Sequence, residues 1–149
     1  MLRVTLNYRE IALGMAHADI TIRNVFDAGK VREGLIGEQN VRSINVRAVV
    51  DTGAASLVIN EEQCKELGLN IVEERSAKLA DGRRILCKLT EAVEVRWKDR
   101  HWPCAAVVIP GAESVLLGAI PLEGMDLMVN PKTQELIGVH GDNIEYLAL

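Results

Sequence analysis

Aromatic residues are scarce in this chain: one Phe, two Tyr and two Trp among 149 residues. So few rings exclude the stacking platforms that hold single-stranded nucleic acid. The net charge is −4 and no basic block stands out, so the electrostatic footprint of a nucleic-acid binder is missing as well. The three cysteines, Cys64, Cys87 and Cys104, are odd in number, widely spaced and without a C-x-x-C pair, which argues against a disulfide framework or a zinc site. His17, His101 and His140 fit no metal or triad spacing. No run approaches the roughly 18 uncharged apolar residues of a membrane span, and the N-terminus lacks the apolar stretch of a secretory signal. Gly29-Lys30 is no phosphate loop, because Asn24 stands where the upstream Gly is required and neither Ser nor Thr follows the Lys. These absences predict a cytoplasmic protein with no nucleic-acid or membrane partner and with neither metal nor cofactor.

The length suits one domain with a real core. Leu2, Val4, Leu6 and Tyr8 alternate like a strand, but Met15 offers a second plausible start. Residues 1–14 therefore read as an N-terminal extension and 15–149 as a single domain. Ile20-Thr21-Ile22 reads as a short strand, Asp27 to Asn40 as a loop because three glycines lie among charged residues, and Ile44 to Val50 as a β-branched strand. Ser56 to Ile59 is a further short strand. Asn60 is a good N-cap for a helix over 61–67 that stops at Gly68. Asp81-Gly82 and Lys98-Asp99-Arg100 mark hairpin turns, with Trp97 and Trp102 packing across the second. Pro110-Gly111 ends the strand from Ala105 to Ile109. A second short helix is expected near 119–123, and a last hairpin brackets Pro131-Lys132-Thr133. Strands dominate, so the fold class is all-β.

One segment asks for a chemical explanation. Val49-Val50-Asp51-Thr52-Gly53-Ala54 ends an apolar strand on a carboxylate, which is costly unless the acid is cradled or used. Thr52 brings a hydroxyl that donates and accepts, Gly53 allows close backbone approach, and Ala54 leaves room beside the acid. An Asp-Thr-Gly tripeptide arises by chance in roughly one chain in thirty of this size, so the flanks carry the rest of the signal. A second apolar run ends in a glycine at Val115-Leu116-Leu117-Gly118.

Together these segments resemble the retropepsin-like aspartic proteases, in which two apolar residues and Asp-Thr-Gly-Ala open the catalytic loop and an apolar-apolar-Gly run follows. The likeness extends from about Ala18 to Gly138. Leu116 to Leu127, with Ala80-Asp81-Gly82-Arg83 before it, is similar to small soluble bacterial members rather than viral ones. The resemblance implies a barrel-like half built from a closed β-sheet, with one or two short helices, active as a homodimer. It assigns Asp51 as the catalytic residue, and Thr52, Gly53, Ala54, Leu116, Leu117 and Gly118 as support of the active-site loop. Ala80, Asp81, Gly82 and Arg83 are the candidates for a flap over the substrate. Their tip is charged, where viral flaps are glycine-rich and apolar.

Peptide hydrolysis by this chemistry needs two carboxyl groups sharing one proton. The chain holds one Asp-Thr-Gly and is too short for two lobes, so the second Asp is expected from an identical chain. The implied function is an aspartic endopeptidase acting on a peptide or protein substrate. The rival reading is a dimeric peptide-binding module of the same fold with weak or no turnover.

Overall fold

The computed structural model describes residues 15–145; the expected extension over 1–14 lies outside them. Strand β1 (His17–Asn24) runs antiparallel to β2 (Ser43–Val50), with Ile20 opposite Val46. The last two residues of β2 pair in parallel with β7 (Leu116–Leu117), whose other edge pairs antiparallel with β3 (Leu57–Ile59). From β3 the sheet continues in parallel to β6 (Arg100–Val108), then antiparallel to β5 (Arg84–Trp97), which returns to β1 with Val95 opposite Ile22. Six strands thus close a ring, and β4 (Ile71–Lys78) lies outside it on the first half of β5. With β6 along one edge, the long β5 divides its other edge between two partners, β4 through Thr90 and β1 from Val93. A register shift between Leu89 and Ala92 separates the two stretches.

Residues on the short central strands alternate between two apolar clusters. Val50, Leu57, Ile59 and Leu117 join Ile20, Ile22, Val93 and Val95 inside the ring. Val49, Val58 and Leu116 face the other way, into a smaller cluster with Ile109, Cys87, Ala77 and Ile85. Burial on both faces explains why these segments read as unbroken apolar runs rather than alternating ones. The all-β expectation holds, with helices confined to short pieces.

The segment read as a loop from Asp27 to Asn40 contains a helix instead, α1 (Val25–Arg32), followed by a single 3-10 turn at Glu38–Asn40. The Asn24 side chain caps α1 by accepting from the Asp27 N–H and also donates to the Leu67 carbonyl. Asp27 is buried and receives the backbone N–H of Arg42 together with two guanidinium bonds. These contacts, distant in sequence, outweigh the helix-weakening glycine at position 29. Helix α2 (Glu61–Glu66) forms as expected behind a full capping box, in which Asn60 Oδ1 accepts from the Gln63 N–H and Gln63 Oε1 accepts from the Asn60 N–H. Helix α3 (Ala119–Gly124) follows β7, and β8 (Leu127–Val129) with β9 (Leu136–Gly138) makes the closing hairpin.

The two tryptophans do not pair with each other. Trp97 stands opposite Arg100 and Trp102 opposite Val95. The Trp97 ring lies under the Lys98 ammonium, 4.5 Å from its centroid. Trp102 abuts Gly124 so closely that a Cβ there would fall 2.2 Å from its ring.

Candidate active site

Asp51 leaves the end of β2 at the point where β7 stops. Its backbone N–H donates to the Leu117 carbonyl at 3.1 Å, and its own carbonyl accepts from the Ala54 N–H at 3.1 Å, closing a tight turn. The carboxylate Oδ1 accepts from the Gly53 N–H at 2.9 Å, so the turn cradles the acid with a backbone donor. Asp51 is half-buried, whereas Thr52 and Gly53 are exposed. The Thr52 hydroxyl has no hydrogen-bond partner among the described residues.

The second apolar run locks this turn from below. Val49 donates to the Val115 carbonyl, while Leu116 and Leu117 pair with Val49 and Val50. At the start of α3 the N–H groups of Ala119 and Ile120 donate to the carbonyls of Ala54 and Ala55, at 2.8 and 2.9 Å. Gly118 makes that approach possible, since a Cβ on it would sit 2.3 Å from the Ser56 carbonyl oxygen and 2.7 Å from that of Ala54. The structure therefore brings Asp51, Thr52, Gly53, Ala54, Leu116, Leu117 and Gly118 together into one interlocked unit.

Ala80, Asp81, Gly82 and Arg83 form the exposed tip of the β4–β5 hairpin. Gly82 adopts φ +87°, a left-handed conformation that glycine tolerates best. Asp81 receives the Arg83 backbone N–H at 2.9 Å and its guanidinium Nε at 2.6 Å. These bonds favour the charged carboxylate and hold it below its ordinary range. No hydrogen bond or ion pair among the described residues joins this tip to the Asp51 turn. The hairpin stem does reach it: Ala77, Ile85 and Cys87 share the smaller apolar cluster with Val49, Ala54 and Leu116.

The cysteines offer no rival nucleophile. Burial pushes the Cys64 thiol above its ordinary value and the Cys104 thiol up to about 11, far from the thiolate that nucleophilic attack requires. Cys87 is buried and donates to the Arg75 carbonyl. Among the described residues no group of three metal-ligating side chains is placed to hold an ion, and no helix is long and apolar enough to cross a membrane.

One cluster escaped the sequence reading. His140 Nδ1 lies 2.7 Å from Asp126 Oδ2, and its Nε2 lies 3.4 Å from Glu145 Oε2. These residues line a cavity of about 640 Å³ between α3 and the C-terminal segment, whose lining includes Ile120 of α3 but no residue of the Asp51–Ala54 turn. Their spacings of 14 and 5 residues follow no recognisable motif, so only the fold reveals the grouping.

The geometry has counterparts among known proteins. The model of a family described as "gag-polyprotein putative aspartyl protease" matches residues 34–134, well over half of the chain. Among solved structures, the chain is similar to the retroviral protease-like domain of Ddi1 from Leishmania major. That likeness has a TM-score of 0.52 at 18% identity and covers 87% of this chain and 90% of the other. At that identity it speaks for the fold, which is the retropepsin-like one. No curated protein matches by sequence.

Proposed function

The chain belongs to this family of aspartyl proteases, and from that premise we propose that it is an endopeptidase whose active site joins Asp51 of two identical chains. The observation that carries the reading is the Asp51 turn itself. A half-buried carboxylate is held by one backbone donor, locked by Leu117 and α3, and presented beside an exposed Thr52 hydroxyl with no partner among the described residues. An interlocked loop with one open side suits a surface completed by a second copy. There Thr52 would grip the opposite loop and set the two carboxyl groups side by side.

Two adjacent carboxyl groups cannot both ionise easily, so they share one proton. The ionised member takes a proton from a water, whose oxygen forms a bond to the scissile carbonyl carbon. The neutral member gives its proton to the carbonyl oxygen, which leaves a tetrahedral diol. Breakdown reverses the roles: the C–N bond breaks, the amine nitrogen takes a proton from one carboxyl, and the other reclaims one from the diol. Within this scheme Gly53 orients Asp51, while Leu116, Leu117 and Gly118 keep the turn rigid. The Ala80–Arg83 tip closes over a peptide or protein substrate and excludes water. Three free thiols suit a reducing, cytoplasmic setting.

The test is cleavage of a diverse peptide library by wild-type protein and Asp51→Asn. Asn keeps the shape and the Gly53 bond but cannot exchange the proton, so the variant should fold normally and lose cleavage by orders of magnitude. Equal turnover would remove Asp51 from the chemistry. Binding of library peptides by both proteins with cleavage by neither would support the peptide-binding module instead.

A further inference from the structure

Asp126 follows α3 with φ +56°, a left-handed conformation that Asp tolerates better than most residues. It is buried, and its Oδ2 receives the Glu145 backbone N–H at 3.2 Å as well as facing His140 Nδ1 at 2.7 Å. On its other side the His140 ring presents Nε2 to the Glu145 carboxylate. Both nitrogens thus face carboxylate acceptors, and an imidazole can donate from both only when it carries the extra proton. Neutral His140 can still donate Nδ1–H to Asp126, but its bare Nε2 then confronts the oxygen of Glu145.

We propose that His140 is a proton-operated clasp that closes residues 142–145 over the cavity behind α3 and releases them when its proton is lost. The hinge is fixed by Arg100, a permanent cation on β6. It donates to the carbonyls of Met125 and Asp126 at 3.0 Å each and to that of Gly141. The chain up to Gly141 therefore stays anchored at every pH, and the segment beyond it moves. The cavity it covers has apolar walls from Trp102, Ile120, Leu127 and Val139, so release exposes a surface that water wets poorly. Among the described residues the charged groups around the clasp are Asp126 after α3, Asp142 and Glu145 on the segment, Arg100 on β6, and Glu123, which lines the cavity from α3. The bond to Asp126 raises the His140 pKa above its ordinary value and lowers that of Asp126. The closed state is accordingly favoured while His140 is protonated and is lost as pH rises through its raised pKa.

The experiment is an NMR titration of the full chain that follows the His140 imidazole and the protection of the Glu145 amide from exchange, corrected for intrinsic rate. Wild-type protection should fall roughly tenfold or more across the His140 titration, with the same midpoint. Asp126→Asn keeps the left-handed backbone accessible and should move the His140 midpoint down. His140→Gln should show low Glu145 protection with no step. A flat protection profile through the wild-type titration, the same His140 midpoint in Asp126→Asn, or a surviving step in His140→Gln would each overturn the clasp. None of these readouts depends on peptide cleavage.

Discussion

Gly118 and Ser56 stand so close that the smallest side chain at position 118 would press its Cβ to 2.3 Å from the Ser56 carbonyl oxygen. The neighbour is backbone, held in the loop that leads from Asp51 into β3, and cannot step aside like the end of a flexible side chain. Gly118→Ala should therefore destabilise the protein by roughly 1–3 kcal/mol, the usual cost of overpacking. Cleavage should fall further than the loss of folded protein explains, because α3 can no longer reach the carbonyls of Ala54 and Ala55. Denaturant unfolding alongside activity per folded chain checks this. An unchanged midpoint would show that the close approach is not needed.

The Asn60 capping box should contribute to stability without touching catalysis. Asn60→Ala removes an acceptor for the Gln63 N–H and a donor to the Ala112 carbonyl, at a cost of about 1 kcal/mol in unfolding free energy. Activity per folded chain should stay as in the wild type. Asn60→Asp, which preserves the cap acceptor, should recover most of the loss.

Asp27 predicts a specific response to acid. Its bonds to the Arg42 guanidinium hold its pKa at about 2, below the ordinary 3.8. A depressed carboxyl pKa contributes stability that is full above the unfolded value and fades as pH falls through the folded one. The melting temperatures of wild type and Asp27→Asn should therefore differ most at neutral pH and converge between about pH 4 and pH 2. A constant gap down to pH 2 would place the stabilising effect elsewhere.

Much of the fold is legible in the sequence because its signals are local. Asn60 and Gln63 announce α2, Asp81-Gly82 announces the hairpin, and the apolar run into Asp51 announces the loop. Helix α1 was hidden, since its glycine and charged residues look like a loop and its anchors, Leu67 and Arg42, lie far along the chain. Strand β7 has two residues and owes its place to partners on both sides, which no local pattern encodes. The ring closure between β1 and β5 is equally non-local. At the site, the residues around Asp51 could be named from the motif. Their interlock with α3 through Ala54 and Ala55 appears only in three dimensions, as does the pairing of His140 with Asp126.

Thr52 should matter between chains rather than within one. Because its hydroxyl has no partner among the described residues, Thr52→Val should leave the thermal stability of a dilute monomeric sample nearly unchanged. It should also raise the concentration at which activity per chain reaches half its maximum, since a weaker dimer must be driven by mass action. Sedimentation and activity measured over the same dilution series test this together. A variant with wild-type concentration dependence would release Thr52 from the dimer contact.

The most direct measurement of the shared active site is the activity of mixtures of wild-type and Asp51→Asn chains at fixed total concentration, allowed to exchange subunits fully. If each site needs Asp51 from both chains, activity follows the square of the wild-type fraction, so an equal mixture retains about a quarter of the wild-type rate. Retention of about half, with mixed dimers demonstrably formed, would contradict a dyad built across two chains.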